Sequence, residues 1–351
     1  MTSERILLVG TYTRPEVHVP DACGEGIVTC AFDPANGHIE RRTAFTGIPN
    51  PSYLAFDPEN RHVLAASENI RSEGSVWQFS CAADGMLEPI FRQNSHGRAT
   101  CHVAVLPNRQ VAAAAYFGGC LAVFPIENGV LSAASRVFHY QGTGPNSTRQ
   151  EASHAHQTVV SPDARWFYVC DLGADRVWQH DIRAIEDPLG HPMPPGLGPR
   201  HLVFHPELPL AYVLGELTGS VAVCRWDTGN GTLSVVTSTP DVEKDASAAA
   251  IRIHPSARTL WISLRKHPAL RVYQIDTAGT PGTSADVPLP AGEPRDFIIS
   301  PDGRWLLTAT QQGNEIVVIG LDPATGLPDN TPHRPFSINT PVCLILAPDK
   351  P

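Results

Sequence analysis

The chain reads as an all-β protein: a seven-bladed β-propeller of four-stranded antiparallel blades, with residues 1–351 forming one domain. Three observations lead there. A turn motif recurs along the chain, short strands of period 2 lie between the turns, and the two ends complement each other.

An apolar run ending in X-Pro, followed by a turn and a second apolar run, occurs at Phe56-Asp57-Pro58, Val105-Leu106-Pro107, Val160-Ser161-Pro162, Phe204-His205-Pro206, Ile253-His254-Pro255, Ile299-Ser300-Pro301 and Leu346-Ala347-Pro348. The spacing of about 47 residues is that of propeller blades. A third alternating strand follows in each copy, as in Ser75–Phe79, Leu121–Phe124, Arg176–His180, Val221–Cys224, Arg271–Ile275 and Ile316–Ile319. A weaker fourth comes after a glycine turn, as in the stretch from Thr228 to Val236. Four short strands per unit with turn residues between them describe a blade. No segment keeps a 3.6-residue apolar period for three turns. The chain opens on Ile6–Thr13, which resembles a second strand, and closes on an orphan first strand, Val342–Leu346. Pairing the two closes the ring and leaves no free sheet edge at the seam. The inserts Arg14–Glu25, Ile182–Gly198 and Thr277–Pro290 are rich in proline, glycine and charge and read as surface loops.

Composition agrees. The 33 prolines and 28 glycines imply many turns, and 42% hydrophobic residues suffice for a large core. A net charge of −9 without a basic run points away from nucleic acid and acidic membranes. With no signal-peptide layout and no stretch able to span a bilayer, a cytoplasmic protein, monomer or homodimer, is expected. The eight cysteines are scattered singly without a CxxC pair and read as buried apolar residues.

In a propeller the first strand of each blade lies nearest the axis. Six residues before each repeat proline stand Ser52, Cys101, His156, Arg200, Ala249, Arg295 and Val342; five before stand Tyr53, His102, Gln157, His201, Ala250, Asp296 and Cys343. Past the second strand come Glu68, Tyr116, Asp171, Glu216, Arg265 and Gln311. Ionisable groups opening apolar inner strands are costly unless they line a wet cavity, so these residues are expected around one central mouth.

Several of these segments also carry a likeness: Gly10-Thr11-Tyr12-Thr13, Asn50-Pro51-Ser52-Tyr53, Cys101-His102-Val103, Arg149-Gln150-Glu151 through His154-Ala155-His156-Gln157, Asp171-Leu172-Gly173, Gly198-Pro199-Arg200-His201 and Pro294-Arg295-Asp296. The chain resembles the seven-bladed propeller lactonases, the bacterial 6-phosphogluconolactonases of propeller type and the fungal carboxy-muconate lactonizing enzymes. The resemblance implies a metal-free enzyme in which His156, Arg200, Glu216 and Arg265 match the proposed catalytic or substrate-binding residues. Where that family usually has asparagine at the end of strand two, this chain has Ala115, Gly215, Leu264 and Thr310, and Ala250 replaces a glutamate. A smaller or less hydroxylated substrate is therefore expected.

On this reading His156 is a general acid or base, Glu216 positions water or accepts a proton, and Arg200 stabilises the oxyanion. Arg265, Arg295, His154, His201, His102, Gln157, Tyr53, Glu68 and Gln311 complete a binding site for a small anionic lactone or carboxylate, with no cofactor and no metal. Each has a structural alternative: histidines bridging blades, Glu216 simply partnering an arginine, Asp296 neutralising Arg295. Cys101 and Cys343, with no helix N-terminus nearby, are core residues rather than nucleophiles. Glu151 is expected to orient the histidine loop. The preferred function is a metal-independent lactone hydrolase; a cycloisomerase acting on an unsaturated dicarboxylate and a non-catalytic binding propeller are the alternatives.

Overall fold

A computed structural model of the chain describes residues 4–348, apart from 58, 60, 185, 291 and 330; the first repeat proline, Pro58, is thus outside the described residues. Every sheet is antiparallel, and no helix occurs among the described residues. Seven blades follow in sequence around the ring. Blade 1 joins the two ends of the chain, in the order Pro341–Leu346, Arg5–Thr11, Ile27–Asp33, His38–Phe45. The closing pair sets Leu7 opposite Leu346 and Val9 opposite Leu344, as the orphan strands predict. The innermost strands of blades 2 to 7 are Pro51–Asp57, Thr100–Leu106, Ala155–Val160, Pro199–Phe204, Ala248–Ile253 and Pro294–Ile299.

The X-Pro motif has a local cause. Proline pushes the preceding residue toward extended backbone, and in five of the seven copies that residue's side chain accepts a nearby backbone N–H. Asp57 accepts from Glu59 N, His205 Nδ1 from Glu207 N, and His254 Nδ1 from Ser256 N, at 3.0–3.1 Å. Ser161 and Ser300 accept from Trp166 N and Trp305 N, at 3.0 Å each.

The core is divided among the blade interfaces. One apolar cluster fills each of the seven gaps, such as Leu7, Val9 and Val28 against Trp305, Leu307 and Ile316 between blades 1 and 7. Alternate side chains of a strand face opposite neighbours, so inner strands are apolar on both faces.

Two of the three inserts are not plain loops. Leu189–Pro192 and Pro281–Pro288, inside the second and third, are the outermost strands of blades 4 and 6. An outermost strand has one free edge and buries little, so Pro281–Pro288 carries no apolar alternation to betray it. The first insert contains only a bridge from Glu16 to Val19.

Candidate active site

Each innermost strand slips register once near its start. Pro51 faces Ser67 but Tyr53 faces Ala66, and the same skip falls at Cys101, Arg200 and Arg295. In blades 4 and 6 it spans His156-Gln157 and Ala249-Ala250, and in blade 1 it falls at Val342. A bulge frees one residue from the ladder and re-aims its side chain. The bulged position is the one six residues before the repeat proline, and four of these residues, Cys101, His156, Arg200 and Arg295, line a single cavity of about 350 Å³. Glu68, Tyr116, Glu216 and Arg265, from the ends of second strands, line it too, as do His154 and Glu151.

The position five before the proline behaves differently. In four blades its side chain turns to the next blade and accepts the N–H of that blade's innermost strand. His102 Nδ1 accepts from Thr158 N (3.3 Å), Gln157 Oε1 from Leu202 N (2.5 Å), Asp296 Oδ2 from Leu344 N (3.1 Å) and Cys343 Sγ from Leu54 N (3.3 Å). Tyr53 packs at a tilt on His102 with ring centroids 3.8 Å apart, and His201 packs edge-on against both His102 and His156. His102, His201, Gln157 and Tyr53 are therefore inter-blade residues and do not line the cavity. Gln311 also lies outside it, its amide donating to Glu293. Counting positions could not separate the two rows, because a bulge sends neighbouring residues to different surroundings.

Glu216, 3% exposed, is gripped by three guanidinium groups. Arg200 bonds its Oε2, while Arg149 (2.5 Å) and Arg265 (3.2 Å) meet Oε1. Burial alone would raise its pKa, but Arg200, Arg265 and Arg149 together hold the carboxyl well below the usual range. Glu216 is thus a permanent anion that gathers arginines. Arg200 and Arg265 are pinned further by Nε donation to Ala249 O and Ser247 O, at 2.9 Å each.

Arg295 stands apart. Asp296, its sequence neighbour, pairs with Arg252 at 2.8 Å, and Arg295 has no ion pair among the described residues. Its guanidinium sits over the Tyr12 ring, 5.3 Å from the centroid. The structural alternative, in which Asp296 neutralises Arg295, is thus not realised.

Both ring nitrogens of His154 face acceptors at 3.1 Å, Tyr116 O and Glu151 Oε1, and its ring stacks on Tyr116. Burial first, then Arg200, pushes His156 well below the ordinary histidine range, so its imidazole is uncharged. Cys101 Sγ points to His156 O at 3.4 Å, and burial drives its thiol far up, which leaves it inert.

Two cavity residues with ionisable side chains, Arg149 and His18, are absent from the sequence-predicted site, as are Ala99, Phe117, Thr148 and Ser247. Arg149 comes from the long connection between blades 3 and 4, and its place beside Glu151 in the Arg-Gln-Glu block was the available signal. His18 comes from the first insert, which folds over the mouth; polar, proline-rich composition gave no hint of it. Among the described residues no three His, Cys, Asp or Glu side chains are placed to hold a metal ion.

Residues 6–346 match the family model described as lactonase, 7-bladed beta-propeller. The chain belongs to the seven-bladed β-propeller lactonase family. It is 28% identical to the 6-phosphogluconolactonase of Bacillus subtilis (strain 168) over 346 residues, 96% of either chain. The solved structure of a 6-phosphogluconolactonase candidate from Bacteroides fragilis superposes with a TM-score of 0.90 at 29% identity, covering 99% of both chains. The periplasmic gluconolactonase of Pseudomonas aeruginosa gives 0.87 at 28% identity, again covering 99% of both. For this lactonase-family member, no helix among the described residues is long and apolar enough to cross a membrane.

Proposed function

We propose that the cavity hydrolyses a small lactone bearing one anionic group, without a metal. The observation that carries this reading is Arg295: a guanidinium with no ion-pair partner among the described residues, facing a cavity whose other three arginines are organised on Glu216. Arg295 holds the anionic group. The N–H groups of Arg200 and Arg265 that Glu216 leaves over polarise the lactone carbonyl and receive the charge that develops on it. His156, uncharged beside Arg200, donates a hydrogen bond to the same oxygen rather than taking a proton. Glu216 keeps the arginines in place. Four guanidinium groups against the three carboxylates Glu68, Glu151 and Glu216 leave the mouth weakly cationic, which suits a monoanion.

The test is turnover of aldonic and carboxylated lactones in heavy-oxygen water. Hydrolysis places one solvent oxygen in the product acid, whereas cycloisomerisation of a dicarboxylate incorporates none. Arg295→Met should raise KM for the anionic lactone about tenfold or more, the worth of one charged hydrogen bond, and leave a neutral lactone unaffected. Equal effects on both substrates would remove Arg295 from anion binding.

A further inference from the structure

Lactone hydrolysis needs a base for the attacking water, and the cavity's obvious choices are occupied. Glu216 is saturated by arginines, Glu151 and both nitrogens of His154 bind each other or Tyr116, and His156 adjoins Arg200. One titratable group on the opposite side is built differently. His18 belongs to blade 1, three blades round the ring from His156, and its ring packs edge-on against Tyr12, 5.3 Å between centroids.

The bonds around it define its tautomer. The Tyr12 hydroxyl donates to Glu68 Oε2 at 2.8 Å, so its single proton is spent. His18 Nε2, 3.1 Å from that hydroxyl and 3.6 Å from Glu68 Oε1, must therefore carry the proton it shares with them. Nδ1 is left with its lone pair, on a side chain that is 33% exposed at the mouth. A carboxylate orienting an imidazole so that the other nitrogen is a free base is the arrangement that activates nucleophiles. Glu68 has no arginine partner among the described residues, so its charge remains available to stabilise an imidazolium.

We propose, resting on the lactone-hydrolase reading, that His18, held by Tyr12 and Glu68, is the base that takes the proton of the attacking water. The water O–H bond breaks as Nδ1 gains the proton and oxygen bonds the carbonyl carbon. When the tetrahedral adduct collapses, the ring C–O bond breaks and His18 returns that proton to the departing alkoxide. Tyr12 from blade 1, Glu68 from blade 2, Arg200 from blade 5, Arg265 from blade 6 and Arg295 from blade 7 are the charged and titratable groups around it. Burial first, then Arg295, lowers its pKa to about 4, so the free base is present throughout the neutral range. An anionic substrate on Arg295 cancels part of that repulsion and makes His18 a stronger base once the complex forms.

The experiment compares wild type with His18→Ala and His18→Gln in the full chain. Loss of a general base should lower kcat about a hundredfold or more with KM nearly unchanged, and added imidazole should restore part of the His18→Ala loss. The acid limb of kcat/KM near pH 4 should vanish in both variants. In wild type the acid limb of kcat should lie higher for an anionic lactone than for a neutral one. Wild-type kcat in His18→Ala, or an effect on KM alone, would overturn the assignment while leaving the hydrolase reading intact. A wild type that opens no lactone would overturn both. Carbon-13 NMR titration of the His18 ring provides a check independent of turnover: an ordinary histidine pKa unmoved by gluconate would also overturn it.

Discussion

Glu216 and Arg295 show how one residue's partners decide its chemistry. A buried carboxylate with three guanidinium groups cannot titrate near neutral pH, so Glu216 acts through the positions of Arg149, Arg200 and Arg265. Glu216→Gln keeps the shape and removes the charge, leaving three cations facing one another. Activity should fall at least a hundredfold, and stability by about 3–5 kcal/mol, the cost of breaking a buried ion pair. Urea unfolding and a lactonase assay on the same preparation check both. A variant as stable and active as wild type would mean that the arginines hold their places unaided.

At the scale of the strand, the repeated bulge sorts inner residues into two rows, one facing substrate and one locking blade to blade. Gln157→Leu tests the division. It leaves Leu202 N–H buried without an acceptor, which costs about 1–3 kcal/mol, yet KM should not change. A large KM effect would return Gln157 to the binding site. The turn after the second strand of blade 4 is equally specific. A Cβ on Gly173 would meet Ala152 O at 1.7 Å and the His154 ring at 3.0 Å. Gly173→Ala must push the histidine loop aside, so kcat should drop about tenfold or more, since misplacing a positioned group is costly in the transition state. An unchanged kcat would show that this loop is not needed in place.

Across the whole molecule, ring closure and buried imidazoles set the conditions under which the fold survives. Ending the chain at residue 340 removes the innermost strand of blade 1 and strips the partners of Leu7, Leu8 and Val9. Such a chain should lose cooperative melting by circular dichroism. Burial lowers His18 and His191 to about 4 and His102 and His180 to about 3, from an ordinary value of 6.5. Between those values the unfolded chain binds more protons than the native one, so stability rises with pH. The contribution is complete above pH 6.5 and is lost as pH falls toward 4 for His18 and His191 and toward 3 for His102 and His180. The urea midpoint at pH 5 should therefore lie below that at pH 7, and glutamine in place of His102 and His180 should flatten the difference.

The repeat, the blade count, the closing strands and the convergence of His156, Arg200, Glu216, Arg265 and Arg295 were all legible in the sequence. They follow from local rules: period-2 burial, proline's constraint on its predecessor, and the cost of ionisable groups in apolar strands. What each of those residues faces was not legible. Asp296 adjoins Arg295 in sequence yet pairs with Arg252 across a blade interface, and His102 and Gln157 sit one position from mouth residues but bind backbone. His18 and Arg149 reach the cavity from connections whose composition says only that they are exposed. Periodic patterns specify strands because burial alternates along the chain. The partners of a charged side chain depend on distances between segments remote in sequence, and only the closed ring sets those distances.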